Sequence, residues 1–106
     1  MRQVGLLVRL QAREGQEGAV ADFLESAVAL AEQEAGTPLW VAYQIGNSTF
    51  GIFDIHPDEA GRQAHLNGQI AATLVQNAEL WLSEPPQIEL HQVLGKKLSG
   101  ASPTTP

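Results

Sequence analysis

Residues 39–55 read LWVAYQI-GNS-TFGIFDI, and this stretch decides the fold. Two runs rich in aromatic and β-branched residues flank the link Gly46-Asn47-Ser48. Such residues suit a pleated, half-buried surface. So short a link joins antiparallel neighbours, so Leu39–Ile45 and Thr49–Ile55 are predicted to form a hairpin. His56-Pro57-Asp58-Glu59 follows at once. Pro57 fits a first helical position, and Asp58 and Glu59 are favoured by the positive end of a helix.

Upstream, Val4–Leu10 reads as a strand, with Val4, Leu6, Val8 and Leu10 on one face and Gly5, Leu7 and Arg9 on the other. Arg13-Glu14-Gly15 is a turn. From Gln16 to Glu34, the residues Val20, Phe23, Leu24, Ala27, Val28 and Ala31 recur at helical spacing and form one apolar stripe. Gly36 is placed to terminate that helix, and Pro38 keeps it from resuming. Downstream, a helical region from Asp58 to Leu82 is broken at Asn67-Gly68, because glycine costs about 1 kcal/mol inside a helix. Leu66, Ile70 and Leu74 keep one face apolar across the break. Pro85-Pro86 ends the helix, and Ile88–Leu94 is a last strand.

The order β-α-β-β-α-β predicts a ferredoxin-like α+β domain with an antiparallel sheet. Residues 1–98 form that domain. Residues 99–106 contain only Ser, Thr, Pro, Gly and Ala and are expected to be disordered. Helices cover one sheet face; the other is too apolar for water, so a homodimer packed sheet to sheet is expected.

Composition narrows the function. The formal charge is −6, and the only adjacent basic pair is Lys96-Lys97, so a nucleic-acid surface is not expected. The absence of cysteine excludes thiolate catalysis, disulfides and Cys-ligated metals. No run reaches the roughly 20 apolar residues of a membrane helix, and no secretory signal pattern opens the chain, so a cytoplasmic protein is expected.

The polar residues with proton-transfer chemistry gather near one strand-to-helix junction: Asp54, His56 and His65. Asp54 and His56 lie two apart in a strand and share a face. Asp54 is placed to orient a histidine or accept a proton, or else to assist the start of the next helix. Two histidines and an aspartate are also a ligand set for non-haem iron, although spacing alone does not make them converge. Trp40, Tyr43, Phe50 and Phe53 are candidates for stacking on a planar ring, or for packing. Trp40 and Tyr43 are three apart, so they point to opposite faces. Arg9, charged in mid-strand, either meets a substrate anion or pairs with a carboxylate such as Glu89.

The chain resembles the antibiotic biosynthesis monooxygenases, dimeric α+β barrels that include quinol monooxygenases. The resemblance runs over residues 4–98. It is carried by the opening strand into Ala12-Arg13-Glu14-Gly15-Gln16-Glu17, by Gly51-Ile52-Phe53-Asp54, by Asp58-Glu59-Ala60-Gly61-Arg62-Gln63-Ala64-His65-Leu66 and by Pro86-Gln87-Ile88-Glu89. The chain departs from the family's commoner Glu-x-Trp after the third strand, where it has Asp54-Ile55-His56. The haem-degrading branch relies on an Asn in the first strand, and this strand has none.

The resemblance implies oxygenation of a phenolic or hydroquinone-like aromatic without metal, flavin or other cofactor. It sets the His65 helix beside the cavity, making His65 the base or hydrogen-bond partner. Asp54 would assist, with Trp40, Tyr43, Phe53, His56 and Arg9 at the substrate. The alternatives are a dimer that binds a small aromatic ligand without turning it over, or a haem-binding relative.

Overall fold

The computed structural model describes residues 2–98. Met1 and the expected disordered tail, residues 99–106, lie outside the described residues. The elements are β1 (Val4–Gln11), α1 (Glu17–Glu32), β2 (Leu39–Ile45), β3 (Thr49–His56), α2 (Glu59–Leu66), α3 (Gln69–Trp81) and β4 (Gln87–Gln92). The four strands form one antiparallel sheet in the order β2-β3-β1-β4. This is the ferredoxin-like α+β arrangement that the hairpin and its flanking helices predict.

Register fixes the faces. Leu6 pairs with Asp54 and Leu90, Val8 with Ile52 and Ile88, and Trp40 with Asp54. Directly opposed residues share a face, so these side chains all lie toward the helices. Leu6, Val8, Leu10, Phe50 and Ile52 are buried there against Val20 and Leu24 of α1 and Leu74 of α3. Full burial of each large aliphatic or aromatic side chain stabilises by about 1.5–3 kcal/mol.

On the opposite face lie Leu7 and Arg9, Val41, Tyr43 and Ile45, Phe53, and Glu89 and His91. Val41, Tyr43 and Ile45 are 40–45% exposed. Tyr43 lies across Gly51, where an added Cβ would meet its ring at 2.4 Å. Phe53 lies across Gly5, where the same atom would meet its ring at 3.1 Å. Both rings therefore lie down on the sheet, and the face is flat as well as apolar.

Three local expectations change. Asp58, not Pro57, starts α2: it is the N-cap, and its carboxylate accepts from the Gly61 N–H at 2.9 Å. An aspartate at that position satisfies a helix donor that Pro57 cannot reach. Gly36 is not a left-handed cap, since only Gly15 and Gly46 have positive φ among the described residues. Helix α1 stops earlier, at Glu32 with Gln33 as its cap. Gly36 lies against α2, where an added Cβ would stand in ordinary contact, 3.5 Å from Gly61 Cα. Strand β4 ends at Gln92, so Leu94 lies beyond the ladder.

Candidate functional site

Strand β3 turns Phe50, Ile52, Asp54 and His56 toward the helices. The first two continue the core. Asp54 and His56 put a carboxylate and an imidazole into the same layer, both fully buried. Helix α2 supplies His65 above them. Its buried side carries Arg62 and His65, one helical turn apart. Arg62 anchors that side by donating to the carbonyls of Gly5 on β1 (3.0 Å) and His91 on β4 (3.3 Å), and it also pairs with Glu59. The Asn67-Gly68 break then caps α2 through Asn67 N–H to Gln63 O and Gly68 N–H to His65 O.

The three residues converge. His56 Nε2 lies 2.5 Å from Asp54 Oδ1, and His65 Nε2 lies 3.2 Å from Asp54 Oδ2. The imidazole rings stand 5.1 Å apart, centre to centre. Each ring's second nitrogen is held from outside. His56 Nδ1 is 2.8 Å from the carbonyl oxygen of Gly36, which only accepts, so Nδ1 carries its hydrogen. His65 Nδ1 is 2.5 Å from Glu34 Oε1. Thr37 closes the circuit: its hydroxyl donates to Glu34 Oε1 at 2.9 Å and stands 3.3 Å from His56 Nδ1.

His65 is thus set between two carboxylates. Burial pulls its pKa down, but the contacts with Asp54 and then Glu34 outweigh burial and raise it to about 8. At neutral pH this favours the imidazolium, the form that donates from both ring nitrogens. The Asp54 contact is within ion-pair range but off the hydrogen-bond direction, leaving Asp54 Oδ2 buried without a directed donor.

Asp54 borders a cavity of about 80 Å³ between the sheet and α3. Asp54 and His65 are its polar lining groups; Leu6, Val8, Ile52, Ile70, Leu74 and Ile88 are among the apolar ones. On its other side, His65 borders an outer cleft of about 330 Å³ that Glu34 and Gly68 also line. A larger groove of about 380 Å³ runs between α1 and the edge strand β2. It is lined by Trp40 and Tyr43 and by neither Asp54 nor any histidine, so the smaller cavity is where the proton-transfer groups meet an apolar space.

The remaining candidates separate. His56 stands behind Asp54 and does not line the inner cavity. Trp40 shares the helix face with Asp54, with its indole Nε1 buried and unpaired. Arg9, Tyr43 and Phe53 are on the opposite face of the sheet. Glu34 and Thr37 are the members the sequence reading lacked. Their only signal is position: a carboxylate and a hydroxyl where the α1–β2 loop must fold back over a strand end.

Neither a protein-family model nor a curated protein matches the chain. Among solved structures, the NE2512 protein of unknown function from Nitrosomonas europaea is 56% identical, with a TM-score of 0.90, covering 95% of this chain and 98% of that one. This chain belongs to the family of that Nitrosomonas protein. PA3566 from Pseudomonas aeruginosa is similar at 21% identity and TM-score 0.79, over 90% of this chain and 97% of that one. An antibiotic biosynthesis monooxygenase is similar at 13% identity and TM-score 0.75, over 87% of this chain and 99% of that one. At those identities the two share the fold. No helix of the described residues is long and apolar enough to cross a membrane.

Proposed function

We propose that the chain is a monooxygenase acting on a phenolic or hydroquinone-like aromatic. One observation carries this reading. Asp54, whose buried Oδ2 lacks a directed donor, borders an otherwise apolar cavity beside the His65 imidazolium. A phenol placed there would give its proton to Asp54, and His65 would hold the phenolate by charge and hydrogen bond. The anion of an electron-rich ring can pass an electron to O₂ itself. One oxygen atom then enters the ring at a carbon that bears hydrogen, para to the hydroxyl in a phenol or naphthol and ortho to it in a hydroquinone. The other leaves as water with the hydroxyl hydrogen and the displaced ring hydrogen, giving a quinone. The substrate is the reductant, so no outside electron donor is required. Names of distant fold neighbours, antibiotic biosynthesis monooxygenase among them, accord with this reading.

The cavity, about 80 Å³ and partly open to solvent, is well below the roughly 300 Å³ of ordinary ligand pockets. Val75 and Ile88 border it and are 75% and 53% exposed, so a ring enters by displacing them. The flat apolar face of the sheet meets a second copy of the chain in this reading, giving a homodimer.

Oxygen uptake by metal-stripped protein against a panel of hydroquinones and naphthols tests the reaction. Uptake above autoxidation is expected, falling more than tenfold in His65→Gln. Ligand binding without oxygen consumption across the panel would instead make the chain a binding protein.

A further inference from the structure

The geometry points to a metal site: Asp54, His56 and His65 hold one divalent first-row transition ion at the floor of the inner cavity. This goes beyond the oxygenase reading and stands or falls without it. Each residue offers a ligand atom within 4.8 Å of the other two, and all three are buried. Both imidazoles turn Nε2 onto one carboxylate, His56 toward Asp54 Oδ1 and His65 toward Asp54 Oδ2.

Four further features fit an ion better than a closed hydrogen-bond cluster. Metal-binding histidines hold their other ring N–H on a carboxylate or carbonyl, which fixes ring and tautomer. Here Gly36 O does so for His56, and Glu34 does so for His65. Glu34 and Asp54 together supply the charge that a dication balances. Asp54 Oδ2 has no directed donor, and the cavity beside it leaves room for a non-protein ligand. His65 also borders the outer cleft, which brings solvent, and with it an ion, to within one imidazole of the site.

Bond lengths of about 2.0–2.1 Å place neighbouring donors of one ion roughly 3.0–3.4 Å apart. The 3.2 Å between Asp54 and His65 already fits. The 2.5 Å between Asp54 and His56 must open by roughly half an ångström or a little more, once the proton between them leaves. Two imidazoles and one carboxylate suit Fe(II), Co(II) or Zn(II). The set has too few oxygens for Ca²⁺ or Mg²⁺.

Metal-stripped protein titrated with Co(II) tests the site. The expected result is one ion per chain, visible absorption of a four- or five-coordinate centre, displacement by Zn(II) and a raised melting temperature. His56→Gln and His65→Gln should each weaken binding at least tenfold, and Glu34→Gln by about 10–100-fold. His91→Gln, altering the exposed histidine on β4, should change nothing. Melting curves of the metal-free variants identify any that fail to fold; the wild-type absorption and melting shift decide the matter without them. No visible absorption and no melting shift would overturn the site, as would binding that survives His65→Gln or is lost in His91→Gln. Hydroquinone oxidation by protein that takes up no Co(II) would remove the metal and leave the oxygenase reading. Co(II) uptake without oxygen consumption would do the reverse.

Discussion

The chain writes acid-x-histidine twice, Asp54-Ile55-His56 on β3 and Glu89-Leu90-His91 on β4. The two pairs have the same spacing and the same kind of contact, 2.5 Å in the first and 3.1 Å in the second. Their surroundings are opposite. Asp54 and His56 are fully buried on the helix face of an inner strand, with His65 completing the cluster. The Glu89 and His91 side chains are 64% and 43% exposed, on the other face of an edge strand. A carboxylate–imidazole contact in water is weak and screened. The same contact away from water holds charges that have nowhere else to go. Local sequence does not make the difference; which face and which strand carries the pair does.

The largest expected effect tests that contrast directly. Asp54→Asn leaves two buried imidazoles facing an amide, and removing one partner of a buried ion pair typically costs about 3–5 kcal/mol. Glu89→Gln should leave stability within measurement error. Urea unfolding of both variants beside the wild type decides it. Equal midpoints for Asp54→Asn and the wild type would mean that the buried cluster carries no net electrostatic stabilisation.

How far the sequence reaches follows from the same pair. The hairpin, the apolar stripe of α1, the break at Asn67-Gly68 and the shared face of Asp54 and His56 are all local patterns, and each is present. Convergence with His65 is not local, because it depends on how α2 lies over the sheet. That docking rests on Arg62 reaching the Gly5 and His91 carbonyls, a tertiary contact with no signature in spacing. Glu34 was illegible for the same reason: it touches His65 only after the α1–β2 loop packs near Gly61 and Gly68. The aromatic candidates depend on tertiary contacts in a different way. Tyr43 and Phe53 have the chemistry to stack on a ligand, but the glycines opposite them, Gly51 and Gly5, draw their rings down onto the sheet.

An intermediate effect should appear with pH. In metal-stripped protein, the pKa of His65 rises from 6.5 to about 8 on folding. Folding therefore favours the protonated ring. The stabilisation is fully present below about pH 6.5 and is lost as pH rises through about 8, and the two values correspond to about 2 kcal/mol. The difference in unfolding free energy between wild type and His65→Gln should shrink by that order from pH 6 to pH 9. A flat difference would mean that Glu34 and Asp54 do not hold a charged ring between them.

The smallest effect on the chain's own fold belongs to the open face. Val41 is 45% exposed and packs no core, so Val41→Glu should leave the unfolding midpoint of an isolated protomer nearly unchanged. Its effect should fall on association. Tyr43 and Phe53 lie flat over Gly51 and Gly5, so a second sheet can approach at the roughly 10 Å separation of packed sheets. A carboxylate buried at that interface gives up its hydration, and a desolvated charge in an apolar contact is far more costly than the lost valine. Sedimentation should find the wild type as a dimer and Val41→Glu as a monomer, with the His65 ring signals unmoved because the cluster is on the other side of the sheet. A monomeric wild type would leave Leu7, Val41, Tyr43 and Ile45 facing water, and the apolar character of this face would then need a different partner.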